Sequence, residues 1–427
     1  MKKIYRLFIF LAWSVGFTSC MDTYTEEFVA NTPVYMDYDD LRASVKPTSA
    51  RSLVNPGKIY FKDNYIFVVE NRAGIHIIDL SNPASPVNIA FIEVPGCVDI
   101  AIKQSTLYAD SYVDLVGIDV SDFNNIKEVA RVKDVLPYLV PPADNNYRMV
   151  EVDATKGVVV GWDVKTVRRE MESNYYPVYP VWDYGYAEKI SFGSTNGGVG
   201  GSGGTTVGTA GSMARFGLYG NYLYAVDNYN CCMFDVGNAA SPASAGKQYV
   251  GWNVETMFIY DGHMFLGTSS GMIVMSLSVP LAPAYVSNFW HVTACDPVVV
   301  SNGYAYVTLR GGTACGSKVN RLDVIQLSTD YRTFTLQGSY AMEEPYGLGI
   351  DDEVLFVCDG NAGLKVYDVA DKTRVNEHLI ATFPDINAYN VIPVNGLLFA
   401  IGSDGFYLYD YADLQNITLK GKILVSK

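Results

Sequence analysis

The chain has 427 residues, of which 49% are hydrophobic and only 18% charged, so it carries enough apolar mass to bury a large core. Its formal net charge is −14, and a chain this acidic repels nucleic-acid phosphates and anionic headgroups, which excludes both as partners. The four histidines, His76, His263, His291 and His378, are scattered. Cys97, Cys231, Cys232, Cys295, Cys315 and Cys358 match no zinc-ligand spacing. Neither a metal site nor a cofactor is therefore expected.

The first residues read as a processing signal. Lys2, Lys3 and Arg6 form a basic start, and the apolar run Leu7 to Phe17 falls short of the roughly 20 residues a membrane span needs. The run ends in Phe17-Thr18-Ser19-Cys20, which resembles a bacterial lipobox whose cysteine thiol is lipidated. Residues 1–19 are then the signal peptide, and cleavage takes the formal charge from −14 to −17. Asp22, Glu26 and Glu27 resemble the acidic cue that directs Bacteroidetes lipoproteins to the outer face of the outer membrane. Residues 20–55 are expected to be the lipidated Cys20 and a surface tether, touching the membrane through the lipid alone. The implied location is the cell-surface side of the outer membrane.

From there one phrase recurs: a turn, a short strand with an aromatic centre, a polar hairpin, and a strand closing on an acidic residue. It reads NYIFVVENRAGIHIIDLS from Asn64, STLYADSYVDLVGIDVS from Ser105, and NYLYAVDNYNCCMFDV from Asn221. The first-strand aromatics are Phe67, Tyr108, Tyr224, Phe265, Tyr306, Phe356 and Phe399, with steps of 41, 116, 41, 41, 50 and 43 residues. A period near 41, filled by four short strands, is the signature of a propeller blade. The expected fold is all-β, a propeller over residues 56–427 with seven four-stranded blades. Blade one is predicted as Lys58–Lys62, Tyr65–Glu70, Gly74–Asp79 and Val87–Glu93, and the last blade ends near Leu424.

GIHIIDLSNPASPVNIAFIEVPG (Gly74–Gly96) resembles the LVIVD repeat, and GSMARFGLYGNYLYAVD (Gly211–Asp227) resembles a phrase of Bacteroidetes lipoproteins of that group. The resemblance implies a propeller and a surface location, and carries no general activity. The acids Asp79, Asp119, Asp235, Asp368 and Asp410 each precede Ser, Ala or Gly at a strand end, and are read as Asx-turn formers rather than catalytic groups.

The 116-residue step signals an insertion at about residues 134–213. Asn146–Val164 reads as a hairpin, and Met149 falls in phase with the repeat, which leaves an eighth blade open. Val140–Asp144, with two prolines, suits an innermost strand badly. A Tyr-rich run (Tyr175–Tyr186) and a Gly-rich run (Gly193–Gly211) follow, the latter read as a flexible loop.

In an antiparallel blade the insertion shares one face with the second-to-third-strand hairpins. Trp162, Trp182, Trp252 and Trp290 map to that face, where they can stack on sugars or simply pack into a lid. Residues starting each first strand, namely Lys58, Asp99, Arg215, Glu255, Asp296, Tyr346 and Asn390, are expected to ring the channel mouth. Cys295 and Cys315 on the same face form a candidate disulfide. Two functions follow: a non-enzymatic binding or scaffold module for a glycan, peptide or partner protein, or a polysaccharide hydrolase or lyase using channel carboxylates such as Asp99, Asp296 or Glu255.

Overall fold

The structure is a computed structural model that describes residues 23–172, 199–200, 209–210, 212–291, 297–312 and 318–426. The chain divides into two compact units, Met1–Met36 with Val140–Glu188, and Asp37–Leu139 with Lys189–Lys427.

In the smaller unit, Thr23–Met36 pairs antiparallel with Val158–Glu172 along its whole length, and Arg148–Met149 lies parallel to Ala30–Asn31. Two expectations change here. The predicted tether is a β-strand from Thr23 onward, and the Asn146–Val164 hairpin does not form because its two arms flank that strand instead of each other. The local pattern fits the pairing: Glu26, Phe28 and Ala30 are sheltered while Thr25, Glu27 and Val29 face solvent. Arg148 bonds Glu26 at 2.9 Å and lies over the Phe28 ring. The buried Asn31 amide donates to the Asp144 and Tyr147 carbonyls, both at 2.8 Å.

In the larger unit the described residues form seven antiparallel sheets, numbered here 1 to 7, over residues 56–93, 100–132, 216–249, 254–290, 298–341, 348–383 and 388–424. Each is built on four antiparallel strands in sequence order, the arrangement of a propeller-like all-β fold; sheet 1 adds Lys46–Ser49 and Thr209–Ala210 at its edges, and sheet 4 adds Val199–Gly200 parallel to its first strand. Sheet 1 follows the predicted bounds with its first strand begun two residues earlier, at Pro56. The last strand ends at Leu424 as expected.

The first and second strands of every sheet join through two residues, at least one with positive φ: Asp63, Gln104, Gly220, Asp261, Asn302, Asp352 and Asn395 open these turns. Asp, Asn and Gly tolerate that region and dominate tight hairpins. The expected Asx turns also form. Asp79 accepts from Ser81 N–H at 2.7 Å, Asp119 from Ser121 at 2.9 Å, and Asp410 from Ala412 at 3.0 Å.

All seven landmark aromatics are buried, Phe67 the most exposed at 2%. They explain how the sheets join. Tyr108 OH donates to Ala239 O at 2.8 Å in sheet 3, and Tyr224 OH to Pro280 O at 2.9 Å in sheet 4. Shared apolar clusters link sheets 1 to 3, 3 to 4, 4 to 6 and 6 to 7. Another links sheet 7 back to sheet 1, with Ile392, Phe399 and Leu408 against Ile59, Val68 and Ile78. At this seam the Tyr389 hydroxyl donates to Pro56 O, and Ser426 N–H to Leu53 O at 2.9 Å. Lys46–Ser49 pairs with Val87–Glu93 and covers the outer edge of sheet 1.

The segment that follows is held by Glu70, which is buried. Its carboxylate accepts from Val54 N–H at 3.1 Å and from Asn55 N–H, and Oε2 lies 2.9 Å from His76 Nε2. Burial works against this charge, but His76 and the two amides outweigh it and hold the carboxyl below its ordinary value.

Tyr389→Phe leaves Pro56 O buried without its donor, and should lower the urea unfolding free energy by about 1–3 kcal/mol at constant m-value. Because the folded value of Glu70 is depressed, its stabilisation is complete above the unfolded value of about 4.3 and disappears as pH falls through the folded value. Glu70→Gln should therefore shrink the stability difference between about pH 6 and pH 3. An unchanged difference would assign the acid sensitivity to other groups.

Candidate ligand-binding face

The expected channel ring is knitted into the protein. Asp99 is 2% exposed, and its Oδ2 accepts from Lys58 Nζ at 2.8 Å, from Arg215 N–H, and from Phe216 N–H at 3.2 Å. Its Oδ1 accepts from Ile100 N–H at 2.8 Å. One carboxylate thus ties together the starts of sheets 1, 2 and 3. Tyr346 is half-buried, donates to Glu344 Oε1 at 2.9 Å and lies under the Arg310 guanidinium at 4.2 Å. Glu255 is half-buried at a bulge between Val254 and Thr256. Asn390 is 1% exposed, and neither of its amide atoms has a hydrogen-bond partner. Asp296, Cys295 and Cys315 lie outside the described residues, as do Cys20 and Trp182.

One short segment of the chain bridges the first strands of several sheets. Thr209–Ala210 pairs antiparallel with Tyr60–Phe61 of sheet 1. Ser212 Oγ then accepts from Leu348 N–H of sheet 6 at 2.6 Å, and Ala214 O from Met257 N–H of sheet 4 at 3.1 Å. Ser212, Met213 and Ala214 are all buried. Of the Gly-rich run read as a flexible loop, only Val199–Gly200 and Thr209–Ala210 are among the described residues, and they pair with the first strands of sheets 4 and 1.

Four carboxylates that the repeat reading passed over close the second strands. Asp110 accepts from Val98 and Asp99 N–H at 2.9 Å each, and Asp359 from Glu343 and Glu344 N–H at 3.0 and 2.9 Å. Glu70 plays this part in sheet 1, while Asp227 grips its own hairpin through Tyr229 and Asn230 N–H at 2.7 and 2.6 Å. The signal was present in the sequence as an acid two or three residues after four of the seven landmark aromatics, Phe67, Tyr108, Tyr224 and Phe356.

The tryptophans separate into two groups. Trp162 belongs to the smaller unit, half-buried, its Nε1–H donating to Pro141 O at 2.7 Å. Trp252, in the link between sheets 3 and 4, and Trp290, at the end of sheet 4, are 70% and 66% exposed. Both adjoin one hairpin. Ser269 N–H donates to Asn253 O at 3.2 Å beside Trp252, and His291 N–H to Ser270 O at 3.1 Å beside Trp290. Tyr229 meets the Trp252 ring edge-on at 5.5 Å, and Tyr249, 54% exposed, ends the outer strand of sheet 3. These rings form a ledge along the hairpin end of two consecutive sheets.

Chemistry elsewhere is sparse. Among the described residues no group of three or more His, Cys, Asp or Glu is placed to hold a metal ion. The thiols of Cys97, Cys231 and Cys358 are pushed well up by burial, and that of Cys232 to about 11, so none is a ready nucleophile. A cleft of about 460 Å³ at the opposite strand ends, lined by Gln104, Ser105, Asp119 and Asn238, offers one carboxylate already engaged in its Asx turn.

Comparison with known proteins bears on the repeat. The sequence matches the LVIVD repeat over residues 57–90. That stretch covers three strands of sheet 1 and the start of its fourth. No curated protein matches the sequence. Among solved structures, the designed protein Ika8 aligns at 8% identity over 88% of each chain, TM-score 0.49. Hsv2 of Kluyveromyces lactis aligns at 10% identity over 86% of this chain and 98% of its own, TM-score 0.47. PorZ, a surface component of the type-IX secretion system of Porphyromonas gingivalis, aligns at 12% identity over 87% of this chain, TM-score 0.46. The chain spans only 39% of PorZ.

A Cβ at Gly347 would sit 2.8 Å from Met213 Sδ, 3.0 Å from Ser212 Oγ and 2.7 Å from Tyr389 O. Gly347→Ala should therefore cost about 1–3 kcal/mol in urea unfolding. Combined with Met213→Ala the two losses should be less than additive, because the second change relieves part of the first. Strict additivity would mean that Met213 does not pack there.

Proposed function

We propose that this chain is a surface lipoprotein, lipidated at Cys20, whose seven sheets are the blades of one propeller and whose hairpin-end face is a non-enzymatic binding or scaffold surface. The observation that carries the reading is the aromatic ledge, two tryptophans left mostly in water on well-bonded turns. Seven blades rather than eight are supported by the cluster joining sheet 7 to sheet 1, and by the pairing of Met149 within the smaller unit. The anchor is supported by the signal ending at Cys20. The hydrolase or lyase reading loses its best candidate, since Asp99 is buried and saturated by an ammonium and three amides. The ligand classes that remain are a glycan, a peptide or a partner protein.

Two measurements test this reading. A clickable palmitate analogue should label the wild type and not Cys20→Ala, and antibody should reach the wild-type protein on intact cells. The purified protein should release no new reducing ends or unsaturated products from neutral or acidic polysaccharides. Labelling that persists without Cys20 would sink the anchor, and product formation abolished by Asp99→Asn would restore the enzyme.

A further inference from the structure

We propose that Tyr229, Tyr249, Trp252 and Trp290 form a platform for an extended, neutral oligosaccharide. This specifies the ligand for the binding face proposed above and rests on that reading.

The platform is elongated. Trp290 pairs with Gly271, and Val254, two residues after Trp252, pairs with Thr268, so the backbone beside the two tryptophans is separated by roughly three strand spacings, about 14 Å. Tyr229 and Tyr249 extend the row on the Trp252 side, Tyr249 lying opposite Asn230. A row of rings this long fits a chain of sugars better than a single one. The compact aromatic residues of the same sheets, such as Phe234 and Phe265, are fully buried, so the exposed rings are not the overflow of an unfilled core.

The platform is also rigid. Asp227 fixes the Tyr229 turn through two amides, Val250 N–H donates to Tyr229 O at 2.9 Å, and Val254 N–H to Asn228 O at 2.9 Å. The rings are thus presented from turns whose backbone is already ordered, which limits the entropy lost when a ligand binds. Indole and phenol rings offer flat apolar faces, and the face of a pyranose ring is its C–H side.

The fringe decides the class. Asn228, Asn253, Ser269 and Ser270 adjoin the rings, Asn253 exposed and the others partly so; the Asn253 amide donates to Ser269 Oγ at 3.1 Å, and all four are neutral groups of the kind that bond hydroxyls. Lys247 is paired with the buried Asp227 at 3.4 Å, and the chain as a whole carries −14. Anionic polymers would meet repulsion with little local compensation. A protein partner would use the same rings, but four rings interspersed with hydroxyl and amide groups are poor in the contiguous apolar area such contacts need.

The test is affinity electrophoresis of the full chain purified in detergent, through gels holding a β-glucan, a xylan or a mannan, and through gels holding alginate or a sulfated galactan. At least one neutral polymer should retard the wild type. Trp252→Ala and Trp290→Ala should each weaken that binding about 10-fold, which corresponds to about 1.4 kcal/mol. Tyr285→Ala, an equally exposed aromatic at the far end of the same outer strand of sheet 4, should leave it unchanged, and circular dichroism should match for all four proteins. Retardation by anionic polymers alone, by no neutral polymer, or equally in both tryptophan variants would overturn the sugar assignment. In that event, quenching of Trp252 and Trp290 fluorescence by a peptide probe would preserve the binding-face reading while replacing its ligand.

Discussion

A four-stranded sheet whose middle strands are apolar on both faces cannot stand alone in water, and this constraint governs the larger unit. In sheet 1, Ile66, Phe67, Val68 and Val69 are all at most 2% exposed, although alternate residues of a strand point to opposite faces. Each sheet therefore needs a neighbour on both sides. A linear stack would leave two raw faces, at roughly 25 cal/mol per Å² of apolar surface left in water. Joining sheet 7 to sheet 1 removes both. Glycine at 421 permits the approach, since a Cβ there would stand 2.8 Å from Pro83 O of sheet 1.

Closing a ring brings backbone ends together near its axis, where amides have few partners, and the carboxylates supply them. Asp99 joins three sheets, while Glu70, Asp110 and Asp359 each capture two consecutive amides of the linker entering their own sheet. A buried carboxylate is tolerated when amides or a cation satisfy its lone pairs. The acidity of the chain thus has a structural component, and it undercuts the idea that channel acids are spare for catalysis. Ser212 and Met213, where the chain enters sheet 3, are buried as well and belong to the same core.

What the sequence discloses depends on how local the cause is. Turn residues such as Asn302-Gly303, the Asx aspartates and the buried aromatics act within a few positions, so they repeat visibly and place strands to within two residues in sheet 1. The ladder between Thr23–Met36 and Val158–Glu172 joins segments more than a hundred residues apart, and its alternation looks the same whichever partner completes it. Trp252 and Trp290 were legible as a pair on one face, whereas Tyr229 and Tyr249 became visible only through the turn that aims them.

The two ends of the strands are under different constraints, and this is why function is sought at one of them. At one end every first-to-second-strand turn has two residues with a left-handed position, and every Asx turn repeats the same bond. Folding dictates that chemistry and leaves little to vary. At the other end the hairpins range from Ser269–Ser270 to the long stretch 310–320, and their residues differ from sheet to sheet. Such freedom is where a rigid scaffold carries recognition. Two indoles kept in water on the least constrained edge of sheets 3 and 4 gain nothing for the core, which already buries Phe234, Phe258 and Phe265. A contact outside the chain is the physical setting in which their exposed surface contributes free energy.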